Sequence, residues 1–75
     1  MRLELNNSGA WKLVIREVKP EALNLVRLAC LDLCIASDGI QLSWRLVVPS
    51  NVHPQGQVVQ HTDGHGLLAQ WVHNK

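Results

Sequence analysis

The chain has 75 residues, of which 47% are hydrophobic, and its formal net charge is +1. This length predicts one domain over residues 1–75, and the aliphatic composition excludes the intrinsically disordered class. The seven Lys and Arg residues are scattered along the chain, which argues against a basic stripe that tracks nucleic-acid phosphates.

The N-terminal segment, MRLELNNSGA, alternates polar and apolar side chains. A secretory signal peptide has a continuous apolar segment, and a membrane-spanning helix has about 20 apolar residues in succession. Neither pattern occurs in the sequence. We therefore expect a cytoplasmic protein without a membrane partner, whose thiols stay reduced.

A β-hairpin is predicted at the start of the chain. Residues 1–5 alternate in the manner of a strand, and residues 6–9 are turn formers. A second alternating segment places Trp11, Leu13 and Ile15 on one face. The two segments are expected to pair through the turn.

A helix is predicted from Pro20 to Ser37. Proline suits the first helical turn because its missing N–H would be unpaired there. Glu21, beside it, favours the positive end of the helix dipole. Apolar residues recur at helical spacing through the segment, which supports one continuous helix.

Three further strands are predicted after the helix. Residues 40–48 alternate most clearly, and residues 57–62 form a shorter strand. Asp63 and Gly64 are typical of a two-residue hairpin turn. Residues 66–72 are predicted as the last strand, with a short terminal helix as the alternative.

The predicted order is therefore β-β-α-β-β-β. A helix of this length spans about 27 Å and a nine-residue strand spans about 30 Å. Because these lengths match, the sequence predicts an α+β fold in which a single helix packs on one face of an antiparallel sheet.

The predicted helix has apolar residues on almost every side. Consecutive helix residues are about 100° apart on a helical wheel. One half of the wheel is predicted to face the sheet, and it holds Ala22, Leu23, Leu25, Val26, Ala29, Cys30, Leu33, Cys34 and Ala36. The other half is mostly polar but contains Leu28, Leu31 and Ile35, whose spacing forms a second apolar stripe.

The second stripe predicts self-association. One sheet covers only one side of a helix, and each exposed aliphatic side chain forgoes about 1.5–3 kcal/mol of burial energy. We expect a homodimer whose interface contains Leu28, Leu31 and Ile35. The alternatives are a different protein partner that accepts the helix in a groove, or loops of the same chain that cover the stripe.

Two cysteines and three turn residues are the candidates for chemistry. Cys30 and Cys34 lie one helical turn apart and are predicted to be buried small hydrophobes. The segment HTDGH contains His61, Asp63 and His65, whose side chains are suitable ligands for zinc, copper or nickel. Metal binding at these three residues is therefore an alternative function.

Weak nucleic-acid binding is the other alternative. Arg2, Lys12 and Arg16 could meet across the first hairpin. The sequence contains no nucleophile elbow, phosphate-binding glycine loop or zinc-protease motif. We therefore predict a non-enzymatic binding or regulatory protein, without a cofactor, that self-associates through the outer face of its helix.

Overall fold

A computed structural model describes residues 1–37 and 40–74. It confirms the α+β fold, with one helix packed on an antiparallel sheet and the predicted order of elements. The elements are β1 (Arg2–Asn6), β2 (Trp11–Ile15), α1 (Leu23–Ala36), β3 (Ser43–Val48), β4 (Gln57–Asp63) and β5 (Gln70–His73), with 3-10 helices at Pro20–Ala22 and Gly66–Leu68.

The sheet has the spatial order β2-β1-β3-β4-β5, and every neighbouring pair is antiparallel. Strand β1 therefore lies between β2 and β3. These two strands are parallel to each other, and α1 connects them by crossing one face of the sheet. The opposite face carries no helix among the described residues.

A β-bulge interrupts the pairing of β1 with β2. Leu3 pairs with Ile15 and Glu4 pairs with Leu13, so Val14 is the extra residue. Ile15 packs against the core on the helix side, whereas Leu13 is exposed. The prediction that Leu13 and Ile15 share a face is therefore wrong, because the bulge shifts the alternation by one residue.

The helix begins and is buried differently from the prediction. Its first turn, Pro20–Ala22, is a separate 3-10 helix. The buried stripe of α1 centres on Cys30 and Cys34, which join Leu46 in the core. The prediction that Leu25 faces the sheet is wrong, since that residue is 72% exposed.

Only some of the other helix residues that were predicted to face the sheet pack against it. Leu23 and Val26 pack against the core, as predicted. Ala29, Leu33 and Ala36, in contrast, are exposed. The contact with the sheet is therefore narrower than half of the helix circumference.

Polar contacts attach α1 to the last two strands. Arg27 Nε donates to Gln60 Oε1 at 2.9 Å, and Trp71 Nε1 donates to the Arg27 carbonyl at 3.0 Å. Gln60 is buried, so this contact satisfies an amide that would otherwise be costly inside the protein. Arg27 thus lies on the flank of α1 that faces β4 and β5.

The predicted strand at residues 40–48 begins later, at Ser43. Ile40 N donates to the Ser37 carbonyl at 3.3 Å, and Ser37 Oγ donates to the Ile40 carbonyl at 2.7 Å. These bonds join Ile40 to the residue that follows α1, and the first residue of β3 comes three positions later.

The last strand is also shorter than predicted. Residues 66–68 form the second 3-10 helix, and six residues connect Asp63 to Gln70 instead of a two-residue turn.

The loop of residues 49–56 lies over the sheet face opposite α1, where a carbonyl of this loop accepts a hydrogen bond from Arg2. No helix in the described part of the chain combines the length and hydropathy needed to cross a bilayer.

Candidate functional site

The second apolar stripe of α1 contains both exposed and half-buried residues. Leu28 is 60% exposed and Ile35 is 48% exposed, whereas Leu31 is half-buried. Leu31 follows Arg27 by one turn and therefore lies on the flank nearest β4 and β5. Leu28 and Ile35 are the more accessible part of the predicted interface.

The second 3-10 helix adds to this stripe. It contacts α1, and its Leu67 and Leu68 are 85% and 79% exposed. We call the combined set the outer apolar surface; it consists of Leu28, Leu31, Ile35, Leu67 and Leu68. Sequence reasoning missed the two leucines of the 3-10 helix because it placed them in a strand, where one of them would face the core.

A second apolar feature lies on the other flank of α1. Leu25, Ala29 and Leu33 form one wall of a groove of about 330 Å³, and Val14 and Ile15 of β2 form the other wall. The bulge in β2 brings these two consecutive residues into the same groove. The exposed apolar surface of α1 therefore extends beyond the second stripe to the flank that faces β2.

The two cysteines are buried thiols of the core, as predicted. Burial raises the pKa of Cys30 to about 12, and the neighbouring Cys34 adds to the rise. Burial also raises the pKa of Cys34, although the Trp44 indole offsets part of this rise. Both thiols therefore stay protonated and unreactive at neutral pH.

The predicted metal ligands are not brought together as a group. His61 is half-buried in β4, and Asp63 ends that strand with its Oδ1 accepting a hydrogen bond from Gly64 N at 3.0 Å. His65 is exposed in the connection to β5. Among residues 1–37 and 40–74, no three His, Cys, Asp or Glu side chains lie close enough to hold a metal ion.

The three basic residues of the first hairpin do not share one surface. Lys12 pairs with Leu5, which packs against the core, so Lys12 belongs to the helix side of the sheet. Arg2 forms an ion pair with Glu4 on the opposite face. Arg16 is exposed after β2 and lines a small pocket together with Arg2. The structure therefore brings Arg2 and Arg16 together, next to Glu4, and leaves Lys12 on the other side of the sheet, which differs from the continuous basic surface that nucleic-acid binding uses.

A network of charged side chains covers the sheet face opposite α1. Glu4 Oε1 accepts a hydrogen bond from Arg45 Nε at 2.6 Å, and its Oε2 accepts one from Arg2 Nε at 3.0 Å. The Arg45 guanidinium carbon lies 4.0 Å from the centroid of the Trp11 ring. His61 pairs with Arg45 across β3 and β4. Sequence reasoning missed this cluster, because only the register of four strands brings its members together.

The comparisons with protein-family models, curated proteins and solved structures found no significant match to this chain. The function of this chain is therefore inferred from its own surfaces. Two separate surfaces are the candidates for a functional site: the outer apolar surface on the helix side and the charged cluster on the opposite face of the sheet.

Proposed function

We propose that this protein is a cytoplasmic, non-enzymatic interaction protein that forms a homodimer through its outer apolar surface. The observation that carries the proposal is the exposure of Leu28 and Ile35 on α1 together with that of Leu67 and Leu68 on the 3-10 helix that contacts α1. Apolar side chains that form one exposed patch mark interaction sites more often than isolated ones do.

The size of this surface supports association. The exposed fractions of Leu28, Ile35, Leu67 and Leu68 together equal between two and three whole aliphatic side chains in each protomer. Burying a whole side chain of this kind contributes about 1.5–3 kcal/mol. Both protomers bury the same surface in a symmetric interface, so the burial free energy of the dimer is twice that of one protomer. This free energy is comparable to the association cost of about 4–15 kcal/mol. We therefore expect a weak, reversible dimer.

A second copy of the chain is the partner that fits this surface best. A twofold axis brings the same patch of two protomers together, so one apolar stripe supplies both sides of the interface. The net charge of +1 produces little repulsion between copies. The loop of residues 49–56 lies on the other face of the sheet, where it makes its contact with Arg2, and thus leaves the stripe accessible.

Sedimentation velocity from low micromolar to submillimolar concentration tests the proposal. The sedimentation coefficient of the wild type should rise with concentration, and Leu28→Asp should weaken the dimer by at least about tenfold, since it places a charge in the interface. Val52→Asp is the matched control, because Val52 is an aliphatic residue that is 79% exposed, against 60% for Leu28, and belongs to the loop on the opposite face of the sheet.

Leu28 is a better position for this test than Leu31, which is half-buried and therefore also contributes to the stability of the monomer. A wild-type protein that sediments as a monomer at every concentration would refute self-association. Equal weakening by Leu28→Asp and Val52→Asp would show that the dimer uses another surface.

A further inference from the structure

The sheet face opposite α1 contains a groove with the composition of a small-ligand site. The groove has a volume of about 320 Å³, and its lining includes Trp11, Ser43, Arg45, Val58, His61 and Asn74. Ligand pockets of proteins have volumes of about 300–1,000 Å³ and combine apolar walls with a few convergent polar groups. This groove combines an indole, an aliphatic wall, a guanidinium, an imidazole, a hydroxyl and an amide.

Arg45 is held in a fixed orientation within this groove. Its Nε donates to Glu4 at 2.6 Å, and its guanidinium stacks on the Trp11 ring at 4.0 Å. Within the residues that the structure describes, its two terminal amino groups make no hydrogen bond. A guanidinium that is fixed through Nε presents these remaining donors as a planar fork, which matches the two oxygens of a carboxylate or phosphate.

The charges around the groove favour an anionic ligand. Glu4 neutralises one of the two guanidiniums that contact it, so the cluster of Glu4, Arg2 and Arg45 has a surplus positive charge. His61 lies opposite Arg45 in the neighbouring strand, on the same face of the sheet, and adds a ring nitrogen. The lining contains no carboxylate. The Glu4 carboxylate that contacts Arg45 lies outside this lining, and both of its oxygens already accept hydrogen bonds from guanidiniums.

We propose that this groove binds a small ligand that has a carboxylate or phosphate group on a compact apolar or aromatic body. The terminal amino groups of Arg45 hold the oxyanion, and His61 donates from the side. Val58 and the accessible edge of Trp11 contact the body of the ligand. A nucleic-acid strand fits less well, because Arg2 is already used by Glu4 and by the loop, and Lys12 belongs to the other side of the sheet.

Titration of the full chain with phenyl phosphate and with benzoate at constant ionic strength tests this proposal. Leu28→Asp is the suitable background, because it separates ligand binding from self-association. The indole N–H signal of Trp11 should shift and saturate at millimolar ligand in a proton–nitrogen correlation spectrum. The probe that binds more tightly identifies the oxyanion, and benzyl alcohol, which has the ring without the charge, should cause no saturable shift.

Variants assign the binding to the proposed residues. Arg45→Lys keeps the charge but loses the planar fork, so we expect affinity to fall by about tenfold. Arg16→Lys makes the same change at an exposed arginine outside the groove and should leave affinity unchanged. His61→Gln should weaken binding several-fold, and it tests the site independently if Arg45→Lys disturbs the fold.

Four results would overturn the proposal. They are the absence of saturable binding by both anions, equal binding of benzyl alcohol, unchanged affinity in both Arg45→Lys and His61→Gln, and much tighter binding of a single-stranded oligonucleotide than of phenyl phosphate. Since the groove and the outer apolar surface lie on opposite sides of the sheet, failure of this proposal leaves the sedimentation result unaffected.

Discussion

The ion pairs of Glu4 allow a quantitative prediction about stability. This carboxylate accepts hydrogen bonds from Arg45 and Arg2 at 2.6 and 3.0 Å, and only 13% of its side chain is exposed. Glu4→Gln removes the charge that both guanidiniums share. Hydrogen bonds to charged groups contribute about 1.5–3 kcal/mol, whereas exposed ion pairs contribute about 0–1 kcal/mol. For this partly screened network we expect a loss of about 2 kcal/mol of unfolding free energy.

The same network predicts how this loss depends on pH. Burial alone would raise the pKa of Glu4, but the hydrogen bonds and charges of Arg45 and Arg2 outweigh burial and hold the pKa below its ordinary value of 4.5. A carboxylate with a lowered folded-state pKa contributes stability that is fully present above the unfolded-state pKa. This contribution is lost as the pH falls from the ordinary pKa through the lowered one.

Urea denaturation followed by tryptophan fluorescence measures both effects. The wild type and Glu4→Gln should differ by about 2 kcal/mol at neutral pH, and the difference should shrink below about pH 4.5. Glu17→Gln is the control, because Glu17 pairs with the N-terminal amine at 3.0 Å but is 71% exposed, and it should cost less than about 1 kcal/mol. Equal losses in the two variants, or a difference that does not change with pH, would refute the reasoning.

Two further predictions concern the buried thiols and the loop of residues 49–56 on the sheet face opposite α1. Cys30 and Cys34 should resist iodoacetamide in the folded protein and react once urea unfolds it, since burial raises both pKa values; rapid labelling of the folded protein would contradict this. Gly56→Ala should cost about 1–3 kcal/mol, since its φ is +88° and the new Cβ would lie 2.7 Å from Val47 Cγ1. Gly9→Ala, at φ +92° with no atom within 4 Å, should cost less, and equal costs would exclude the predicted clash.

Much of the fold was predictable because its signals are local. Alternation at the start of the chain and in residues 40–48 predicts strands, the second of which begins at Ser43 in the structure, and Pro20 with the helical spacing after it predicts the helix. The presence of an apolar stripe beyond the one that a single sheet covers was also predictable. Leu28 and Ile35 are exposed in the structure, although whether another copy covers them is a question for the sedimentation experiment.

The details of the candidate sites were less predictable because they depend on distant residues. The bulge at Val14 changes which side chains of β2 face the helix, and nothing in the local pattern WKLVI indicates it. The cluster around Arg45 joins residues of β1, β2, β3 and β4. Side chains so far apart in sequence become neighbours only through strand pairing.

The sequence by itself determined the class of the fold, the order of its elements and the surplus of apolar residues on the helix, because periods of two and 3.6 residues are properties of short segments. Only the tertiary structure decided which flank of α1 is buried, that residues 66–68 form a 3-10 helix, and that Arg45 is fixed between Glu4 and Trp11. The physical reason is that register, bulges and helix rotation minimise the free energy of the whole assembly of elements, to which each segment contributes only a part.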